Sequence, residues 1–245
     1  MTPLDEAVIP ATDRGFLTGW TVFETALALD GRIPHLELHL ARLRASCEAA
    51  FVPMPDGLAD EMLDVVTRVG GRARLRVTLS GTGVRIVAGE PISLERFGAP
   101  VRCVRGPFAV DPFLPGSVKH GSRAGWIAAV ERARVDDVLL VDADGRFTEG
   151  TTSGILAVVD GAVWTAPADG RILASTTVSR LLDLAGDLGV RVVRQGALAV
   201  GPWDGLYIAS ATRGLAPVIE LDGVPLSSGE PVGKRLLDAL SASIA

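Results

Sequence analysis

The chain has 245 residues, a net charge of −5, 48% apolar and 22% charged residues, which is the composition of a globular protein with room for one large domain or two small ones. It offers no basic footprint for nucleic acid, and no apolar stretch approaches the roughly 20 residues that a membrane span needs. Cys47 and Cys103 are too few for a disulfide framework and suit no metal-ligand spacing, so they read as buried small hydrophobes.

The opening MTPLDEAVIPATD lacks the basic start and apolar run of a signal peptide, and a soluble, cytoplasmic protein is expected. FETALAL (23–29) fits a strand, followed by a turn at DGR. Leu36, Leu40, Leu43, Cys47 and Ala50 form the apolar stripe of a helix over about 36–50. PMPDG breaks it, and a second helix is expected from about Leu58 to Val69. ARLRVTLSG (73–81) alternates as a strand, and GVRIVAG and PVRCVRG read as two more. With three prolines and no period, PFAVDPFLPGS (107–117) reads as a connection between domains. The expected division is therefore 1–108, a linker at 109–117, and 118–245.

After the linker, WIAAVERAR (126–134) reads as a short helix. Short strands follow in DDVLLVDADGRFTEG and GILAVVDGAVWTAP, with DADG and VDGA as hairpin turns. A helix over about 176–188 opens at Ser175 or Thr176 and closes at Gly189, and RVVRQGAL, GLYIASA and APVIELDG supply the last strands. The fold class is α+β, with two domains.

Only two lysines, Lys119 and Lys234, stand against twenty-two arginines. Base composition accounts for the arginine bias, so a retained lysine draws attention. A lysine of lowered pKa forms a Schiff base with an aldehyde such as pyridoxal phosphate and then serves as a base. That cofactor also needs an acid facing its ring nitrogen and donors for its phosphate. Taken alone, Glu149 in RFTEGTTSG is a solvated carboxylate; beside a bound pyridine it can pair with the ring nitrogen. Ser175, Thr176 and Thr177 at a helix start are caps by themselves, and equally an anion site. Thr212 in SATRG lies in an ordinary strand-end turn that could add a hydroxyl, and Arg42 belongs to the polar side of a helix.

Five segments, in order, resemble the fold-type IV pyridoxal phosphate enzymes: branched-chain and D-amino acid aminotransferases and 4-amino-4-deoxychorismate lyases. They are DRGFLTGWTVFET (13–25), HLARLRAS (39–46), TEGTTSGI, ILASTTVSRLLDLA and IASATRGLAPVIELDG, together spanning roughly residues 13–225. The resemblance implies a smaller N-terminal α/β domain and a larger C-terminal pseudobarrel domain, with the site between them, and a homodimer whose partner subunit completes it. It also implies that Lys119 is the Schiff-base lysine and proton-transfer group. Glu149 would hold the ring nitrogen protonated, and Arg42, Thr176, Thr177 and Thr212 would bind the phosphate. Trp20 and Thr21 replace the family's D-G, Gly154 its asparagine, and Val178 an arginine, which puts the rim of the site in doubt.

Lys119, His120 and Arg123 form K-H-x-x-R, closer to the lyases' K-H-x-N-R than to the branched-chain enzymes' pattern. Ser80 and Gly81 stand where D-amino acid aminotransferases carry an arginine. The lyase reading therefore leads. It takes 4-amino-4-deoxychorismate to pyruvate and 4-aminobenzoate, with aromatisation as the driving force, and places the chain in folate biosynthesis. An aminotransferase is the runner-up, and a cofactor-binding dimer of little activity stays open. Arg123, Arg213 and His120 are candidates for holding the small-molecule substrate. No metal is expected.

Overall fold

A computed structural model describes residues 6–244; residues 1–5, which begin the stretch read above as no signal peptide, and residue 245 lie outside them. Among the described residues no helix is long and apolar enough to cross a membrane. The chain splits into two compact units, Met1–Leu94 with Pro112–Arg123, and Glu95–Asp111 with Ala124–Ala245.

In the first unit Asp13 caps a short helix, α1 (Arg14–Thr18), by accepting the Phe16 N–H at 2.9 Å. Strand β1 (Thr21–Leu29), helices α2 (Leu36–Ala49) and α3 (Leu58–Val69), and strands β2 (Arg72–Ser80) and β3 (Arg85–Pro91) follow. The strands form an antiparallel sheet in the order β1–β2–β3, with Thr21 opposite Ser80 and Leu29 opposite Arg72. Alternation on β2 buries Ala73, Leu75, Val77 and Leu79 against Leu40, Leu43, Met62 and Val66 of the helices. It turns Arg74 and Arg76 to the opposite, exposed face. At five residues, α1 is too short to leave a periodic signal, and it was not expected.

The second unit holds β4 (Val101–Pro107), α4 (Ala124–Ala133), β5 (Asp137–Val141), β6 (Phe147–Gly150), β7 (Gly154–Val159), β8 (Ala162–Trp164), α5 (Thr176–Asp187), β9 (Val192–Val193), β10 (Gly205–Ser210), β11 (Gly214–Leu221), β12 (Val224–Pro225) and α6 (Pro231–Ile244). Strands β4, β5, β6, β7, β10 and β11 pair in a closed ring, because β7 bonds to both β6 and β10. Within the ring, only β4 runs parallel to its neighbours, β11 and β5. Closure removes the free sheet edges of the ring. Ile155 and Ala157 of β7 share one core with Leu139, Phe147, Ile208 and Val218. The intervening Leu156 and Val158 pack with Leu181 and Ala185 of α5 and Leu236 and Leu240 of α6. Strands buried on both faces read as continuous apolar runs, as GILAVV does.

The turns follow the local chemistry: Asp160 and Gly161 both take positive φ, 50° and 68°, the signature of a two-residue hairpin turn. Helix α6 went unforeseen, although Leu236 and Leu240 have helical spacing; its start is capped by Glu230, which accepts the Val232 and Gly233 N–H groups at 2.7 Å each.

The division differs from the expected one in two places, for a pairing reason. Strand β4 lies before the expected linker but hydrogen-bonds into the second unit's ring. The Lys119 segment lies after it but bonds to β1 of the first unit. The connection at 109–117 is thus one of several crossings, and Lys119 belongs to the unit of α2 and β1.

Candidate active site

Two hydrogen bonds hold the backbone around Lys119 along β1, and a third ties it to α2. The Lys119 carbonyl accepts the Phe23 N–H at 2.9 Å, Gly121 donates to the Thr21 carbonyl at 2.9 Å, and Lys119 N–H donates to Ser46 Oγ at 3.0 Å. His120 sits in the same run, bridged to Val22. The amine is delivered to the face of Phe23, with Nζ 4.7 Å from the ring centroid. The guanidinium carbons of Arg76 and Arg123 lie 3.9 Å and 5.6 Å from the same ring. Burial pulls the Lys119 pKa down to about 7; repulsion from Arg42, Arg123 and Arg76 adds to this, and Glu24 opposes it. An amine in this state is neutral in a large fraction of molecules near neutral pH.

Beneath it lies a network that went unforeseen. Glu24 of β1 is 1% exposed, and it accepts Arg42 Nε at 2.9 Å and Nη2 at 2.6 Å and meets His39 Nδ1 at 3.2 Å. His39, Arg42 and Ser46 follow at steps of three and four, so one stripe of α2 carries all three toward β1 and the Lys119 segment. The HLARLRAS spacing held this signal, though only Arg42 was drawn from it. Burial pushes the Glu24 carboxyl up, but the bonds from His39 and Arg42 and the charges of Arg42 and Lys119 outweigh it and hold the group at about 2, against 4.5 ordinarily. Its contribution to stability is therefore complete above pH 4.5, amounts to about 3 kcal/mol, and is lost as the pH falls toward 2. Glu24→Gln should lower the melting temperature at neutral pH and flatten its fall across that acid window. Parallel acid slopes in thermal melts of the two proteins would contradict this.

In the second unit Glu149 ends up buried on β6, opposite Gly154, and accepts the Leu173 N–H at 3.2 Å. Ser175 caps α5, its hydroxyl accepting the Val178 N–H at 3.2 Å. The amides of Thr176 and Thr177 precede the first intrahelical donor, Ser179, and so are left for an outside acceptor. Thr212 occupies the turn between β10 and β11. Its neighbour Arg213 reaches Asp136, with Nη1 3.7 Å from Oδ1. Lys119, His120, Arg123 and Arg42 thus come together in the first unit, and Glu149, Thr176, Thr177, Thr212 and Arg213 belong to the second.

The departures from the family pattern pair off as packing. A Cβ at Gly81 would overlap the Trp20 indole, whose Nε1 donates to the Ala50 carbonyl at 2.8 Å. Trp20 thus requires a glycine at position 81. A Cβ at Gly154 would likewise overlap Val178 Cγ2, so the glycine on β7 and the valine on α5 fit as a pair.

The family profile of class IV amino-transferases matches residues 21–221. The chain belongs to the class IV aminotransferases. A bifunctional aminodeoxychorismate lyase and D-amino acid transaminase of Mycobacterium tuberculosis is 28% identical over 96% of this chain and 94% of its own. A putative branched-chain-amino-acid aminotransferase of Methanocaldococcus jannaschii is 27% identical, over 89% and 84% respectively. Among solved structures, a hypothetical aminotransferase of Mycobacterium tuberculosis in apo form superposes with a TM-score of 0.86 at 25% identity, covering 99% of this chain and 95% of that one. The two-domain fold with its barrel is thus that of a fold-type IV enzyme. Class IV aminotransferases of this fold use pyridoxal phosphate. Among the described residues, each unit by itself holds groups whose chemistry suits such a cofactor: an amine with suppressed charge in the first, and a buried carboxylate and the start of α5 in the second.

Proposed function

We propose that this class IV aminotransferase is a pyridoxal phosphate-dependent lyase that converts 4-amino-4-deoxychorismate to 4-aminobenzoate and pyruvate. The observation that carries the reading is the setting of Lys119. Its amine, with a pKa near 7, shares the Phe23 ring with Arg76 and Arg123, a cationic surrounding suited to a substrate with two carboxylates. The relative of 28% identity carries both lyase and transaminase activity in its name, which supports the reading without separating the two.

When bound, the cofactor offers a protonated pyridine ring that draws an electron pair away from the substrate carbon bearing the amine. Glu149 keeps the ring nitrogen protonated. Arg42, Thr176, Thr177 and Thr212 hold the phosphate through a guanidinium, helix-start amides and hydroxyls. Lys119 would take the proton from C4 of the substrate. The C3–O bond then breaks, the enolpyruvyl group leaves and is protonated to pyruvate, and the ring becomes aromatic. His120, Arg123 and Arg213 are assigned to substrate. A homodimer belongs to the same reading, and light scattering checks it.

Transamination is the second reading, favoured by the Methanocaldococcus jannaschii relative. It would use Lys119 for the same first proton but end in a keto acid rather than in loss of the C3 substituent. The loaded protein should be given aminodeoxychorismate, and separately alanine of either hand, glutamate and branched-chain donors. Release of 4-aminobenzoate with stoichiometric pyruvate is expected; keto acid from the amino donors alone would replace the lyase with the second reading. Bound cofactor with turnover of neither would leave a binding protein.

A further inference from the structure

The turn after Glu149 is built around a carboxylate that the mechanism does not use. Asp137, at the start of β5, is 0% exposed and accepts the hydroxyls of Thr151 at 2.5 Å, Thr152 at 2.9 Å and Ser153 at 2.7 Å. The Val138 N–H, at 2.8 Å, fixes the carboxylate itself, and the Thr152 N–H approaches at 3.4 Å. Three consecutive side chains of the turn therefore converge on one acceptor. The turn closes by the Gly150 N–H donating to the Ser153 carbonyl at 2.8 Å, and Thr151 N–H reaches the Val138 carbonyl at 3.1 Å. The carboxylate also packs against the residue that follows Glu149: a Cβ at Gly150 would stand 2.9 Å from Asp137 Oδ2 and would overlap Ser153 Oγ. Glu149 is thus held on one side by β6–β7 pairing to Gly154 and on the other by a turn whose hydroxyls are tied to Asp137.

We propose that Asp137 is a positioning residue that sets where the Glu149 carboxylate points, acting through Thr151, Thr152 and Ser153. The inference rests on the reading of Glu149 as partner of the ring nitrogen. The three hydroxyls call for a carboxylate at position 137. It accepts at two oxygens and donates nothing, whereas an amide would turn two N–H donors toward hydroxyls that need acceptors. A buried acceptor lost under three hydroxyls loosens the turn, and a misplaced carboxylate holds the ring proton less well.

Asp137→Asn and Ser153→Ala test this in the pyridoxal phosphate-loaded protein, the second variant removing one tie and leaving the carboxylate. Both should lower kcat with little change in KM, by about tenfold or more for Asp137→Asn. Both should also shift the pH midpoint of the cofactor's visible absorbance in the direction that Glu149→Gln shifts it. In the Glu149→Gln background, Asp137→Asn should add less than about twofold to the loss. If the Asp137 and Glu149 losses multiply in full, or if the midpoint moves only in Glu149→Gln, Asp137 merely braces the turn and the proposal is overturned. If Glu149→Gln alone changes neither kcat nor the midpoint, the reading of Glu149 falls and takes the proposal with it, which sets that failure apart. Should Asp137→Asn fold poorly, the absorbance midpoint of Ser153→Ala decides.

Discussion

Lys119→Ala should leave a folded protein that turns over no substrate and holds no cofactor that borohydride can fix. General acid–base action alone is worth about 10²–10⁴ in rate, and the covalent anchor disappears with it. Lys119→Arg should fail as completely, because a guanidinium remains protonated and cannot attack an aldehyde. Stability should move the other way. Folding lowers the Lys119 pKa from 10.5 to about 7, so the buried amine costs free energy at neutral pH, and that cost disappears only as the pH rises through this range. The apo Lys119→Ala protein should therefore melt at or above the wild-type temperature at pH 7. In the wild type, the rate of cofactor attachment should climb through pH 7 as the amine loses its proton. An active Lys119→Ala protein, or attachment that is flat with pH, would refute this assignment.

Glu149→Gln should fold, because its amide oxygen can still accept the Leu173 N–H, yet it should lose about 10²–10³ in kcat. A neutral amide cannot hold a pyridine nitrogen protonated, so the electron pair from the substrate carbon finds a poorer sink. The loss should fall on kcat more than on KM, because the charge is needed only as that carbon gives up its proton. Glu149→Asp should recover little, since a carboxylate shortened by one methylene no longer reaches from β6 to the same point. A Glu149→Gln protein of wild-type kcat would remove the ring-nitrogen role.

Much of the site was legible because its chemistry is local. Lys119 stood out by composition, Ser175 by its place before a helical period, and TEGTTSG by its position after a hairpin turn. The barrel strands announced themselves as apolar runs, since β7 is covered on both faces. Glu24 and Asp137 were not legible, and for the same reason: a carboxylate inside FETALAL or before VLLV becomes remarkable only once its donors arrive. For Glu24 these are His39 and Arg42, from 15 and 18 residues away. For Asp137 they are the hydroxyls 14 to 16 residues on. The departures from the family pattern were visible one by one, but that Trp20 lies on Gly81 and Val178 on Gly154 was not.

The residue order by itself determined the α+β class, the helices α2, α3, α4 and α5 with the capped start of α5, and the singling out of Lys119 as a candidate, because each follows from spacing or side-chain chemistry within a few positions. Only the tertiary structure decided which unit holds the lysine. Hydrogen bonds to Phe23 and Thr21 of β1 and to Ser46 of α2 draw residues 119–121 into the first unit, while β4 completes the ring between β5 and β11 in the second. Backbone donors and acceptors must be paired wherever they are buried, and that requirement settles the division where composition could only suggest a linker.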